Sequence, residues 1–527
     1  MPQITISNMS YQYSDFYHPI FEKVNLILDT NWKAGLIGRN GRGKTTLLKL
    51  LMGVLEPDSG YIKLPGGIDY FPYKNVAGYT KVIDIIKENI GGLRTMEVVM
   101  DEIISSNKQS RFDEYNTILD KYMQMDGYEM EANIQKEFDL MELNKELLER
   151  DFSTLSGGEK TAIQLIALFL KTNHFILLDE PANHLDVVRK EMVIGYLSKK
   201  KGFIVVSHDR NFLDKVVDHI ISINKADITI EQGNYSSWKL NKDVKEQFEL
   251  RTKLKLEKEI KQLECRIDQN KVWASAGEKQ KYEFKCHARA NGAKKLQRQS
   301  RNSQDNIEKN IDTKKYLLLN FEEKKQLIIE GEEFNEDWLI KVDRLDFTYP
   351  GSDRRILNNV SFEIKSGDRI WIRGKNGTGK TTLLKLLSSD FESDSVEYAE
   401  GLKIAKVEQE PTWTEGMVKE LFYQLEEVDK KNFEYFQSIC QCFEVPVDYL
   451  ERPIETYSNG EQKKVDIARA LSQNINLVFL DEPLNYMDVY FREQLEAALL
   501  ECNTTLVFVE HDERFGENVA TKKINLY

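Results

Sequence analysis

The sequence predicts an α/β protein in which two tandem copies of one domain are joined by a long α-helical hairpin linker. Three observations carry this. A glycine-rich loop of the form G-x-x-x-x-G-K-T occurs at residues 38–45 and again at 374–381, each time after an apolar strand and before a helix opening T-T-L-L-K. Each copy continues to an apolar strand ending in Asp-Glu, and in both the Asp lies 23 residues after the serine of a second repeated motif. Between the copies, apolar residues fall at helical spacing and basic residues outnumber acidic ones. The expected boundaries are 1–237, 238–332 and 333–527.

Composition supports a folded, multi-domain chain. Its 527 residues exceed one ordinary core, and 41% hydrophobic with 30% charged residues excludes wholesale disorder. Apolar runs such as 175–178 and 477–480 fall far short of the roughly 20 residues of a membrane helix, so no membrane domain is expected. Residues 1–6 read as a strand with no basic-then-apolar leader, which predicts a cytoplasmic protein. The five cysteines lack paired C-x-x-C spacing, so neither a disulfide framework nor a structural metal is expected. The net charge of −13 is uneven: residues 239–315 hold 21 Lys+Arg against 12 Asp+Glu, and the remainder 52 against 74.

The first motif in each copy is the loop itself. Gly38, Asn40, Gly41 and Gly43, with Gly374, Asn376, Gly377 and Gly379, let successive N–H groups point at phosphate oxygens, helped by the helix dipole. Lys44 and Lys380 can then reach β and γ phosphates, Thr45 and Thr381 can ligate Mg²⁺, and Thr46 and Thr382 complete each loop. The strands 175–180 and 477–482 read as buried parallel strands. Their first acids, Asp179 and Asp481, suit Mg²⁺ through water, and the second, Glu180 and Glu482, suit handling an attacking water. His208 in V-S-H-D and His511 in V-E-H-D each end a further apolar strand, and in matched register they favour a γ-phosphate sensor over a structural histidine.

L-S-G-G-E at 155–159, its counterpart Y-S-N-G-E at 457–461, and the turns N-H-L-D at 183–186 and N-Y-M-D at 485–488 resemble the signature and following turn of ATP-binding cassette proteins. The resemblance covers nearly the whole of both halves. It implies ATP and Mg²⁺ as cofactors, hydrolysis to ADP and phosphate, and a monomer whose cassettes pair head to tail. Each ATP would lie between one phosphate loop and the other cassette's signature, Ser156, Gly157 and Gly158 or Ser458, Asn459 and Gly460. Tyr13 and Tyr349 match the aromatic that stacks on adenine.

The halves differ. Tyr73 and Gln409 both lie 29 residues after their loop lysines, so only the second cassette keeps the family's glutamine, a Mg²⁺ ligand. From loop lysine to signature serine is 112 residues in the first copy and 78 in the second, an excess of 34 placed within 76–148, polar and helical over 112–130, which looks like a reduced arm subdomain. Site one therefore pairs Lys44, Asp179, Glu180 and His208 with the altered signature. Site two, with Lys380, Gln409, Asp481, Glu482 and His511, carries the full set.

The linker opens with Leu240, Val244 and Phe248, then Leu256, Ile260, Leu263 and Ile267, at helical spacing. About 30 residues give a helix of about 45–50 Å, and a second helical stretch is expected over 288–332. Trp273, Tyr282 and Phe284 fall in the connecting tip at 271–284, followed by Lys285, Arg289, Lys294, Lys295, Arg298 and Arg301 with no acid among them. A solvated coiled-coil connector would account for the charge. A basic helix with aromatics beside it, on an acidic body, fits structured RNA better, with cations on phosphates and rings stacking or wedging.

Tandem cassettes with such a linker resemble the ABC-F family of ribosome-associated ATPases. The resemblance implies binding to the bacterial 70S ribosome, entry at the tRNA exit site, and a linker running along P-site tRNA toward 23S rRNA near the peptidyl-transferase centre. Stretches 29–43, 232–235 and 481–488 look closest to the antibiotic-resistance branch of the Lsa and Vga kind, which protects ribosomes from lincosamides, pleuromutilins and streptogramin A. A housekeeping translation factor of the same family and, more distantly, the energy-coupling subunit of a transporter are the alternatives.

Overall fold

The computed structural model describes residues 2–14, 19–73, 78–106, 111–183, 185–224, 227–283, 338–351, 354–375, 377–391, 393–425, 430–473, 475–501 and 504–526. Each cassette is built on a parallel sheet whose strands are Val, Ile, Leu and Phe runs, buried on both faces as parallel strands must be. In the first cassette the strands lie in the order Gly67–Phe71, His174–Asp179, Phe203–Val206, Lys33–Gly38, His219–Ile223 and Ile228–Gln232, the last antiparallel to its neighbour. The second repeats the arrangement with Ile404–Val407, Leu477–Asp481, Thr505–Val509, Arg369–Arg373 and Lys522–Asn525. A small antiparallel sheet flanks each one, Phe21–Asp29, Gln3–Tyr11 and Ser59–Lys63 in the first, Arg355–Lys365, Trp338–Thr348 and Val396–Tyr398 in the second. Strand order brings the carboxyl ends of the loop strand and the acid strand to one edge, where ligands bind in open α/β sheets.

The extra length of the first cassette resolves into particular helices. Val82–Gly91 and Val418–Tyr423 both start 38 residues after the loop lysine, and Met130–Leu140 and Lys430–Cys442 both end 16 residues before the signature serine. Helices Leu93–Ser106 and Phe112–Gln124 fill the difference, so the insert is narrower than the 76–148 window.

Met1–Ser236 and Gln326–Tyr527 form one compact unit and Ser237–Lys325 another. The linker begins as one helix, Tyr235–Glu283, of 49 residues. At about 1.5 Å per residue it spans about 74 Å, longer than the 45–50 Å expected from sequence. The reason is residues 271–283, where sequence spacing predicts a tip between helices. They are rich in Lys, Glu, Gln and Ala, contain no Pro, and carry the helix on through Gly277, whose cost of about 1 kcal/mol the neighbours offset. Trp273 and Tyr282 therefore stand on a helical backbone. Phe284, Lys285, Arg289, Lys294, Lys295, Arg298, Arg301 and the expected second helix lie outside the described residues.

Candidate functional site

Both glycine-rich loops end at a left-handed glycine, Gly43 at φ 91° and Gly379 at φ 92°, that caps the eight-residue helices Lys44–Leu51 and Lys380–Leu387. A Cβ on Gly43 would lie 2.5 Å from Ile20, so both conformation and space demand glycine there. The Lys44 ammonium donates to the carbonyl of Gly38 at 2.7 Å and to Asn40 Oδ1 at 3.3 Å, and Lys380 donates to Gly374 at 2.9 Å. Burial lowers the pKa of both lysines, opposed by Asp488 and Glu180 around Lys44 and by Glu482 and Asp481 around Lys380. Gly41 and Gly377 hold positive φ inside the loops, and Thr45 and Thr381 are exposed one residue into each helix. Asn376 lies outside the described residues. Tyr13 and Tyr349 pack beside these helices, their hydroxyls 3.3 and 2.9 Å from Thr46 and Thr382.

At the end of each acid strand the chain turns sharply. Glu180 and Glu482 occupy the left-handed region, at φ 51° and 46°, a conformation that costs a non-glycine residue about 1–3 kcal/mol and clusters at active sites. Each acid faces its histidine: His208 Nε2 is 3.5 Å from Glu180 and His511 Nε2 is 3.2 Å from Glu482. The second site adds more donors, with Asn485 donating to Glu482 at 2.6 Å and Gln409 at 3.2 Å.

These neighbours separate the two acids electrostatically. Burial pushes Glu180 up to about 8 despite Arg492 and Lys44, whereas at Glu482 burial is outweighed by the His511 and Asn485 hydrogen bonds and by Lys380, leaving its pKa below the usual value. Burial also lowers His208 well below the ordinary range. Asp481 accepts a bond from Thr381, and its buried Oδ1 has no hydrogen-bond partner among the described residues. A hydroxyl beside an orphaned carboxylate oxygen is a donor set that fits Mg²⁺, so Thr381 and Asp481 would hold the ion and neutralise phosphate charge through it.

Ser156 and Ser458 cap the signature helices Gly157–Phe169 and Asn459–Leu471, each closing a capping box with the glutamate three residues on. Gly157 is exposed at the start of its helix, and Gly158 lies against Arg189, while across the cassette boundary a Cβ on Gly460 would stand 3.2 Å from Asn40 Nδ2. The Asn40 N–H donates to Asp488 at 2.7 Å and its side-chain amide to the Tyr486 carbonyl at 2.9 Å. The first phosphate loop thus meets the signature end and following turn of the second cassette, as head-to-tail pairing requires. Lys380 in turn feels the charge of Asp186 from the first.

Several contributors are not legible as site residues in the sequence. Lys463, fully buried, donates to the carbonyls of Glu408 and, at 3.1 Å, Gln409, pinning the loop that carries Gln409. In the first cassette Gln164 does the equivalent, donating to the Tyr73 carbonyl at 2.9 Å, and the Tyr73 hydroxyl turns back to the Gln164 carbonyl at 3.4 Å. Tyr70 donates to Asp179 at 2.8 Å. A lysine or glutamine inside a helix ordinarily reads as solvent-facing, and a tyrosine in a strand as packing.

The model of the ABC transporter family matches residues 21–183 and 357–485, more than half the chain. The chain belongs to the ABC transporter family. It is a two-cassette ABC ATPase that hydrolyses ATP. Among described residues no helix is long and apolar enough to cross a membrane. Relatives of this ABC chain include the Bacillus subtilis uncharacterized ABC transporter ATP-binding protein YfmM, 27% identical over 100% of this chain and 98% of its own. The B. subtilis ribosome protection protein VmlR is 27% identical over 99% of this chain and 86% of its own. In fold, the structure of the archaeal ribosomal stalk protein aP1 with the archaeal ribosome recycling factor aABCE1 aligns with a TM-score of 0.54 at 20% identity, covering 98% of this chain and 87% of that one.

Proposed function

We propose that this ABC ATPase is a ribosome-binding protein of the ABC-F kind, which enters the tRNA exit site and uses its linker to act at the peptidyl-transferase centre. The observation that carries this is a single chain whose two cassettes already pair through Asn40, Tyr486 and Asp488, and whose first cassette runs without a break into a 49-residue helix leading to a basic stretch. ATP closes the cassettes in this reading, hydrolysis opens them, and the linker delivers the change to RNA. Kinship over nearly the full length with a ribosome protection protein supports the finer reading that lincosamides, pleuromutilins and streptogramin A are the drugs countered. Bacterial 70S ribosomes, 23S rRNA and P-site tRNA are then the partners, and Mg²⁺ accompanies each ATP.

The test is the minimum inhibitory concentration of a lincosamide and a pleuromutilin in a susceptible bacterium expressing the intact chain, the Glu180→Gln, Glu482→Gln form, or a form lacking residues 272–284. Protection by the intact chain alone is expected. No protection by the intact chain overturns the resistance reading in favour of a housekeeping translation factor.

A further inference from the structure

The two acid strands are equivalent in register, yet their first acids meet different partners. Tyr70 pairs with Leu177, two residues before Asp179, and Lys406 pairs with Phe479, two residues before Asp481. The two positions are therefore the same place in the sheet. In the second cassette the Lys406 ammonium is held by Asp390 at 2.8 Å and Glu408 at 2.9 Å, and Asp481 keeps the Thr381 hydroxyl and a buried oxygen with no hydrogen-bond partner among the described residues. In the first cassette the Tyr70 phenol reaches the acid itself, donating to Asp179 Oδ2 at 2.8 Å. Three residues on, Tyr73 stands where the second cassette has Gln409, and its hydroxyl is bonded to the signature helix and not to Glu180. Both aromatic substitutions act on one edge of one site.

We propose that Tyr70 is a positioning residue that restrains site one, its phenol competing for the Asp179 oxygen that would otherwise hold a divalent cation or the water bound to it. A carboxylate oxygen that already accepts a strong O–H donor offers less electron density to a cation and is held at the angle the phenol dictates. The consequence is a first site that binds the cation weakly and turns over slowly while the second cycles. The difference then lies in the sheet of the first cassette as well as in Tyr73 and Asn459. The inference rests on reading Asp179 as the metal-associated acid of site one.

The experiment uses the full chain with Glu180→Gln and Glu482→Gln, ATP, and Mn²⁺ in place of Mg²⁺, with bound ion measured by electron paramagnetic resonance. One tight and one weak Mn²⁺ site are expected. Tyr70→Phe should tighten the weak site about tenfold, the worth of roughly one hydrogen bond to a charged group, and leave the tight site unchanged. Tyr70→Leu should do the same, which guards against a packing effect peculiar to one variant. In protein carrying only Glu482→Gln, Tyr70→Phe should raise the residual ATPase rate. Asp179→Asn should abolish the weak site. If Asp179→Asn abolishes it and both Tyr70 variants leave Mn²⁺ affinity unchanged, the proposal is overturned and the reading of Asp179 stands. If Asp179→Asn leaves both Mn²⁺ sites intact, the reading of Asp179 fails and the proposal with it.

Discussion

Glu180 and Glu482 occupy matching backbone positions, and their environments give them different chemistry. If these two acids handle the attacking water, replacing both with Gln keeps the glycine-rich loops and removes that chemistry, so ATP binding should persist while steady-state turnover falls about 100-fold or more. Near-normal ATPase activity in the double variant would remove the assignment. Singly, Glu482→Gln should cost more turnover than Glu180→Gln, because site two keeps Gln409 and Asn485 on its acid. The pH dependence separates the sites further. Glu180, pushed up to about 8 by burial, is protonated at neutral pH and becomes a base only as pH rises. The Glu482→Gln protein, left with site one, should therefore gain activity through about pH 8, whereas the Glu180→Gln protein should stay flat from about pH 6 upward, since Glu482 is held below the ordinary carboxyl value. In stability terms the sign is fixed too. Between its unfolded pKa and about 8 the folded chain holds a proton at Glu180 that the unfolded chain has released, so this group's contribution to stability declines as pH rises across that window. Identical pH profiles for the two single variants would contradict the separation.

At the scale of elements, the signature helix Asn459–Leu471 does more than present Ser458. Its buried Lys463 holds the carbonyls of Glu408 and Gln409, and Gln409 reaches Glu482, so helix, loop and acid form one connected unit. Lys463→Met leaves those carbonyls without their donor. Stability measured by denaturant should fall by about 1–3 kcal/mol, and site-two turnover should fall with little change in KM for ATP. If Lys463→Met lowers turnover equally when Gln409 is already Ala, the lysine does not act through the glutamine. The loop, acid and signature elements were legible from sequence because each is a short motif whose spacing repeats, and repetition removes chance. Lys463 and Tyr70 were not, because their roles come from sheet register and helix docking that no local pattern encodes. The insert was legible as length alone, and strand-to-helix alignment was needed to reduce it to Leu93–Ser106 and Phe112–Gln124. Apolar spacing in the linker predicts two helices about a tip at 271–284, yet helix formers carry the first helix to Glu283.

For the whole molecule, the contacts that join the cassettes lie next to the Glu482–His511 pair and to the root of the linker. Arg210 of the first cassette, 3% exposed, reaches Glu496 at 2.8 Å and Asp512 at 3.7 Å in the second, and Asp512 directly follows His511. Tyr235, the first residue of the long helix and fully buried, donates to Glu493 at 2.7 Å, while Ser236 is bound by Asp214, itself 3.6 Å from Arg514. Breaking one partner of such a buried pair is costly, so Arg210→Met should weaken cassette pairing and lower turnover at both sites, whereas exposed Lys81→Met, paired with Glu149 at the surface, should change neither. Replacing Lys294, Lys295, Arg298 and Arg301 with Ala should weaken binding to ribosomes and make its salt dependence shallower, by up to about 3 in the log–log slope. Whether ATP-closed cassettes bind the ribosome is read by co-sedimentation of the Glu180→Gln, Glu482→Gln chain with purified 70S ribosomes. Near-stoichiometric pelleting with ribosomes in ATP and little in ADP is expected. A chain that stays in the supernatant with ATP while still binding the nucleotide would rule out ribosome binding by the closed cassettes.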